Sequence, residues 1–299
     1  MQATVAGEPL LHHRVANGIT QAHFEWRAEL RGRRSSLCMV HATGFHGRVW
    51  DQVIHHLPDH HVIAVELRGH GRSQAADFTG WADFGHDLAA LAATLDLQGV
   101  VGIGHSMGAH ALVQAAACQP GRFSQLVLID PTIFAPAEYH RPPLPGVLQP
   151  AAARKNHFES AQAMFQRFAG RPPYNVFQRQ ALLDYCRHGL HPADSGSGFR
   201  LACAPAVEGK VYALARGNPG IFTSIRALRI PVLVVRARLP DPGILPWDPL
   251  GSPTWPGLAL EFRHGRDLAR VDKTHMLPME DPALVARLIT EAMAQAVRL

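Results

Sequence analysis

Apolar and polar positions along the 299-residue chain follow two different periods. Runs rich in Val, Ile and Leu and without polar alternation at 37–40, 62–65, 100–103, 126–129 and 231–235 predict strands covered on both faces. Between them, apolar residues recur every three or four positions: Phe84, Leu88, Leu91 and Leu95 predict a helix over 81–95, and an alanine-rich stretch predicts another over 107–118. Residues 49–56 read as a short helix stopped ahead of Pro58. Residues 10–13 and 19–29 predict an antiparallel pair across the turn signal Asn17-Gly18. Strands alternating with helices are the signature of an α/β domain on a mainly parallel sheet.

After Ile129 this rhythm stops, and no such strand appears between 135 and 227. Pro142, Pro143 and Pro145 lead into helical stretches. One is capped by Ser160, carries Met164, Phe165 and Phe168, and ends at Gly170 ahead of Pro172-Pro173. A second, over 176–188, ends at Gly189 with Pro192 beyond it. Strands resume at 231–235 and 267–271, and Asp281-Pro282 opens a final helix. A core domain of residues 1–134 and 228–299 is therefore expected, interrupted by a helical insertion over 135–227.

Composition narrows the functional classes. With 47% apolar and 18% charged residues the chain is neither disordered, collagen-like nor a coiled coil. Cys38, Cys118, Cys186 and Cys203 have no C-x-x-C spacing and read as buried small hydrophobes, forming neither a zinc site nor a disulfide framework. A net charge of +5 would suit nucleic acid, but all of the 29 basic residues except Lys155, Lys210 and Lys273 are arginines scattered over the whole length. The densest group, Arg31-Gly32-Arg33-Arg34, has no interleaved aromatics, so no nucleic-acid partner is expected. No apolar run approaches the roughly 20 residues of a membrane span. The first ten residues lack a basic segment followed by an apolar one, so a soluble cytoplasmic protein is expected. Nothing in the pattern specifies an oligomeric state.

The sharpest chemical signal is Gly104-His105-Ser106-Met107-Gly108, a G-x-S-x-G placed between a buried strand and a helix. A strand that turns at once into a helix strains the serine backbone, so small residues must flank it two positions away on each side. The hydroxyl is then exposed at a helix N-terminus, where N–H groups and the dipole favour negative charge. Serine needs a base, usually an imidazole oriented by a carboxylate. Of 19 histidines, His275 has the right place, in a loop directly after the last strand. His105 adjoins the serine, but adjacent side chains on a tight turn point apart, so it reads as a packing residue. The pairs His12-His13, His55-His56 and His60-His61 diverge likewise, and no metal is expected there. The loop Arg68-Gly69-His70-Gly71-Arg72-Ser73 lacks the lysine and spacing of a P-loop, and no cofactor is expected.

Taken together, these segments resemble the α/β-hydrolase superfamily of serine hydrolases with a helical cap. The resemblance rests on His41-Ala42-Thr43-Gly44-Phe45 ahead of Val49-Trp50, the Arg68–Ser73 loop, the elbow at Ser106, and His275 with Met276-Leu277-Pro278-Met279-Glu280 behind it. It implies an α/β-hydrolase fold, a mostly parallel central sheet flanked by helices, with the cap inserted after strand 6. It also implies a catalytic triad of Ser106, His275 and a carboxylate a few residues beyond the strand that follows the cap, which is Asp241. Some members place the acid at the end of the strand before the cap, where Asp130 stands as the alternative. Glu66 and Asp281 read as structural. The oxyanion hole would combine the N–H of Met107 with that of Thr43, with Gly44 and Phe45 as alternatives because Ala42 replaces the usual glycine.

A serine at 106 excludes the epoxide-hydrolase and dehalogenase chemistries of this fold, which need a carboxylate there. The reading is an enzyme that hydrolyses carboxylic esters of small to medium apolar acyl or aryl groups through an acyl-enzyme. The alternatives are other uses of the same triad on thioesters, lactones, amides or C–C bonds, or in perhydrolysis, and a slow-turnover receptor or binding module. Phe158, Met164, Phe165, Phe168, Tyr174, Phe177 and Tyr185 are expected mostly to form the insertion's own core, with a minority facing the cleft.

Overall fold

The computed structural model describes residues 7–141, 151–194, 196–244 and 248–296; Pro142, Pro143 and Pro145 lie outside them. The chain lays down β1 (Leu10–Ala16), β2 (Ile19–Trp26), β3 (Leu37–Val40), β4 (Val62–Val65), β5 (Val100–His105) and β6 (Phe123–Ile129). It then leaves the sheet for an insertion that carries β7 (His157–Phe158), β8 (Leu190–Pro192) and β9 (Phe199–Leu201), and returns for β10 (Val232–Ala237) and β11 (Gly265–Arg270). The main sheet has eight strands in the order β1-β2-β4-β3-β5-β6-β10-β11. β1 and β2 join antiparallel, as do β2 and β4, and every later pair is parallel.

The first hairpin closes through Asn17 and Gly18, at φ 52° and 75°. Two left-handed residues in a two-residue loop match the right-handed twist of the strands, which is why this dipeptide signals a hairpin. β2 ends at Trp26 rather than at 29, because Arg27 swings to φ 54° and residues 28–30 coil into a single tight turn.

Strand residues alternate between the two faces and so divide the core. Leu37, Met39, Val101, Ile103, Val127, Ile129 and Val235 meet Trp50, Val53 and Ile54 on one face, together with Leu284, Val285, Leu288 and Ile289 of the helix Pro282–Ala296. Cys38, Val40, Ile63, Val65, Leu126, Leu128 and Val234 meet the helices Ala82–Thr94, Met107–Cys118 and Ile221–Ala227 on the other. Cys118 is a correction to the cysteine reading: it is exposed at the end of its helix, while Cys38, Cys186 and Cys203 are buried, and all four are free.

The insertion is not purely helical. Its helix Ala161–Phe168 is as the sequence predicts, with Ser160 Oγ accepting from Ala163 N at 3.1 Å, whereas the second runs over Arg179–His188 and not from 176, because Tyr174–Val176 form a separate tight turn and Phe177 is extended. β7, β9 and β8 add a three-stranded antiparallel sheet that two- and three-residue strands cannot announce by periodicity. Phe158, Phe165, Phe168, Phe177 and Tyr185 do not form a separate core, since they belong to the same apolar cluster as Phe45 and the sheet face. Among the described residues no helix is long and apolar enough to cross a membrane.

Candidate active site

Parallel strands end on one edge of the sheet, and the residues that follow β3, β5, β6 and β10 collect there. At the end of β5 the chain turns through Ser106, at φ 55° and ψ −117°, directly into the helix Met107–Cys118. The flanking glycines are required by contact. A Cβ on Gly108 would lie 2.4 Å from the Val40 carbonyl oxygen, and one on Gly104 would lie 2.5 Å from Ala109 Cα.

Ser106 Oγ lies 3.1 Å from His275 Nε2, and His275 Nδ1 lies 2.6 Å from Asp130 Oδ2. Ser106 is 6% exposed, His275 5% and Asp130 not at all. An ionised carboxylate only accepts, so the imidazole proton is on Nδ1 and Nε2 is left as the acceptor for the serine hydroxyl.

Asp130 rather than Asp241 is therefore the carboxylate beside His275, which corrects the preferred assignment of the acid. Asp241 is exposed in the loop after β10, where its Oδ1 accepts from Gly243 N at 2.8 Å and closes a local turn. The same loop still serves the site, through donors. Ala237 N at 2.9 Å and Ser252 Oγ at 2.5 Å donate to Asp130 Oδ1, and Thr254 N–H donates to Ser252 Oγ at 3.2 Å behind them. Burial pushes the Asp130 carboxyl up, but the His275 hydrogen bond and charge, with Ser252 and Ala237 N–H, outweigh it and hold it below the ordinary carboxylate value. Asp130 itself has φ 45°, a left-handed conformation that an aspartate adopts more readily than most residues.

His105 does more than pack. Its Nε2 is 2.7 Å from the His275 carbonyl oxygen, which can only accept, so Nε2 carries the proton. Burial, then the neighbouring His275, pushes His105 down to about 3 and keeps it neutral. The His275 main chain is also held by its own N–H on the Leu250 carbonyl at 2.9 Å. Thr132, two residues after Asp130, places Oγ1 2.9 Å from Ser106 Oγ. Sequence reasoning missed Thr132, Ser252 and Thr254; the only available signal was that Thr132 follows Asp130-Pro131 directly after an apolar strand.

Near Ser106, Phe45 N–H donates to the Ala42 carbonyl at 3.2 Å and Gly44 N–H faces the Cys203 sulfur. Among the described residues, neither Thr43 N–H nor Met107 N–H has a protein acceptor, and the Thr43 hydroxyl lies 3.5 Å from the Met107 sulfur. Glu208 of the insertion packs on Gly44, close enough that a Cβ there would meet its carboxylate at 2.8 Å. Arg154 pairs with Glu208 at 2.5 Å and donates to the Tyr174 and Tyr185 hydroxyls at 2.9 and 3.1 Å.

Among the described residues one group brings three metal-ligating side chains together, Asp51, Asp184 and His188, with atoms within 4.8 Å of one another. Arg48 already grips Asp51 at 2.9 Å, and Gln52 and Gln180 donate to the two oxygens of Asp184. The group reads as a polar seam between the core and the insertion.

Comparisons with known proteins agree with this architecture. Residues 39–288 match the family model described as Alpha/beta hydrolase family. The chain is 38% identical over 134 residues to Lipase LipV of Mycobacterium tuberculosis, a match covering 42% of this chain and only half of that lipase. It is 29% identical over 244 residues to 2-(acetamidomethylene)succinate hydrolase of Mesorhizobium japonicum, covering 79% of this chain and 81% of that one. The crystal structure of E-2-(acetamidomethylene)succinate hydrolase superposes with a TM-score of 0.73 over 96% of this chain and 99% of that chain, at 22% identity, a likeness of fold alone.

Proposed function

The chain belongs to the alpha/beta hydrolase family, and from that premise we propose that it is a serine hydrolase cleaving carboxylic esters, with Ser106 as nucleophile, His275 as base and Asp130 as its orienting acid. The observation that carries the reading is the unbroken hydrogen-bonded row Ser106 Oγ, His275, Asp130 at 3.1 and 2.6 Å. His275 Nε2 takes the serine proton as Oγ attacks the acyl carbon, and Asp130 stabilises the imidazolium that forms. The negative charge that develops on the acyl oxygen is received by Met107 N–H and Thr43 N–H, two donors with no competing protein acceptor. The imidazolium returns its proton to the leaving alcohol, and water then repeats the sequence on the acyl-enzyme.

The insertion acts as a cap over this edge of the sheet, except that its last helix, Ile221–Ala227, packs with the core helices. Its Phe177 and Tyr185 pack on Phe45, two residues from Thr43, with ring centroids 6.1 and 5.2 Å away, which supports an apolar acyl or aryl group in the substrate. A second reading is amide cleavage by the same triad, favoured by the similarity along most of the chain to a protein named 2-(acetamidomethylene)succinate hydrolase.

An organophosphonate added to the purified protein is expected to leave a single adduct on Ser106 by mass spectrometry. An activated aryl ester is expected to give a burst of alcohol equal to the enzyme present. Absence of both rejects the enzyme reading. A panel of esters, thioesters, lactones and amides of matched acyl groups then ranks the bond type by kcat/KM.

A further inference from the structure

The turn after β6 touches the site twice, once through the Asp130 carboxylate on His275 and once through the Thr132 hydroxyl on Ser106. We propose that Thr132 is a positioning residue for the nucleophile: its hydroxyl donates to Ser106 Oγ and holds the serine proton aimed at His275 Nε2. This role rests on the Ser106–His275–Asp130 reading above.

The direction of the bond follows from counting protons. Asp130 accepts from His275 Nδ1, so Nε2 is bare and accepts from Ser106 Oγ at 3.1 Å. The single serine proton is then committed, and Oγ has only lone pairs to offer Thr132 at 2.9 Å. Among the described residues the Thr132 hydroxyl has no other acceptor. The four groups therefore form one ordered row in which Thr132 donates to Ser106, Ser106 to His275, and His275 to Asp130.

The placement of Thr132 is rigid. Its N–H donates to the Ser106 carbonyl at 3.2 Å, and its own carbonyl accepts from His110 Nδ1 at 3.2 Å. His110 Nε2 accepts in turn from Asn218 Nδ2 at 3.0 Å, which fixes the tautomer that makes Nδ1 the donor. Pro131 next to it is held by Thr254 Oγ1 on its carbonyl at 2.7 Å. Thr132 is only 8% exposed, so water competes little for its hydroxyl.

No proton leaves Thr132 during the reaction. As His275 takes the serine proton, negative charge passes through Oγ on its way to the acyl oxygen, and the Thr132 donor faces that atom at the moment the new C–O bond begins to form. In the ester of the acyl-enzyme Oγ is a poor acceptor, so the interaction is strongest before and during attack and weak after it. Such a contribution acts on acylation and is read in the labelling rate and in kcat/KM.

Three proteins test this: wild type, Thr132→Val, which replaces the hydroxyl by a methyl of similar size, and Thr132→Ser, which keeps the hydroxyl. Two constants are read, the rate of phosphonylation of Ser106 and kcat/KM for an aryl ester, with thermal midpoints measured alongside. Thr132→Val is expected to lower both by about tenfold, the size of one ordinary hydrogen bond, and Thr132→Ser to stay within about twofold of wild type. Thr132→Val labelling as fast as wild type overturns the role, and so does an equal loss in Thr132→Ser, which would point to packing. A wild-type protein that takes no label at Ser106 overturns the triad reading itself, and this role with it.

Discussion

At the scale of single residues, the site depends on which carboxylate reaches His275. Asp130 and Asp241 both stand beside a proline near a strand end, and nothing local in the sequence separates them. In the folded chain one is fully buried against the imidazole and the other is exposed and turned onto Gly243. Asp130→Asn is expected to lower kcat for ester hydrolysis by about a thousand- to ten-thousandfold, because an amide in place of the carboxylate no longer fixes the productive tautomer. Asp241→Asn is expected to stay within about twofold of wild type, as an exposed turn residue should. Steady-state kinetics on the two variants decide it, and a large loss confined to Asp241→Asn would return the acid to the loop after β10. Ser106→Ala and His275→Ala should each abolish turnover while leaving the circular dichroism spectrum unchanged.

At the scale of elements, the elbow is the most constrained junction. β3 and β5 are hydrogen-bonded neighbours, so the start of the helix Met107–Cys118 crosses directly over the end of β3. This is why Gly108 has the Val40 and His41 carbonyl oxygens where a side chain would go, at 2.4 and 2.5 Å. Both are backbone atoms that cannot swing aside. Gly108→Ala is expected to cost about 1–3 kcal/mol or more, and to lower Ser106 labelling as the elbow shifts. Gly170→Ala, where a Cβ meets nothing within 4 Å, is expected to change stability by less than about 0.5 kcal/mol. Thermal denaturation of the two variants checks the contrast, and a Gly108→Ala protein as stable as wild type would deny the close approach. Strands of four or more residues and helices with a regular apolar stripe are legible in the sequence to within a few positions. The sheet β7-β9-β8 is not, because its short strands depend on partners brought from elsewhere in the insertion.

At the scale of the molecule, burial keeps many of the imidazoles neutral. Burial pushes His23, His70 and His110 down to about 4 and His105 and His188 to about 3, and holds His41 and His46 well below the ordinary 6.5. Unfolding returns each to a pKa near 6.5, so below that pH the unfolded chain binds protons that the folded chain refuses. The stability these residues contribute is complete above pH 6.5 and is lost as pH falls toward 4 and 3. Asp51 opposes this: burial pushes its carboxyl from 3.8 up to about 7, so over that window the folded state holds a proton that the unfolded state releases. Burial pushes Asp184 up as well and His56 and His60 down, so it is two carboxyls against nine imidazoles. The thermal midpoint is expected to fall steadily from pH 7 to pH 5, with net uptake of more than one proton on unfolding. Calorimetry across this range tests it, and a flat or rising midpoint would mean that the imidazoles are hydrated in the native state.

The sequence by itself determines the strand–helix rhythm, the break at the insertion, the elbow at Ser106 and the loop that carries His275. All of these follow from neighbouring residues: apolar period, small residues around a strained turn, and a polar segment where the last strand ends. Only the tertiary structure decides that Asp130 faces His275, 145 positions away, and that Thr132 faces Ser106, 26 positions away. Those pairings depend on β5, β6, β10 and β11 lying side by side in register, and on the left-handed backbone of Asp130 that turns its carboxylate toward the imidazole. Contacts between segments far apart in the chain are set by packing, and packing leaves no periodic trace in the residues that make them.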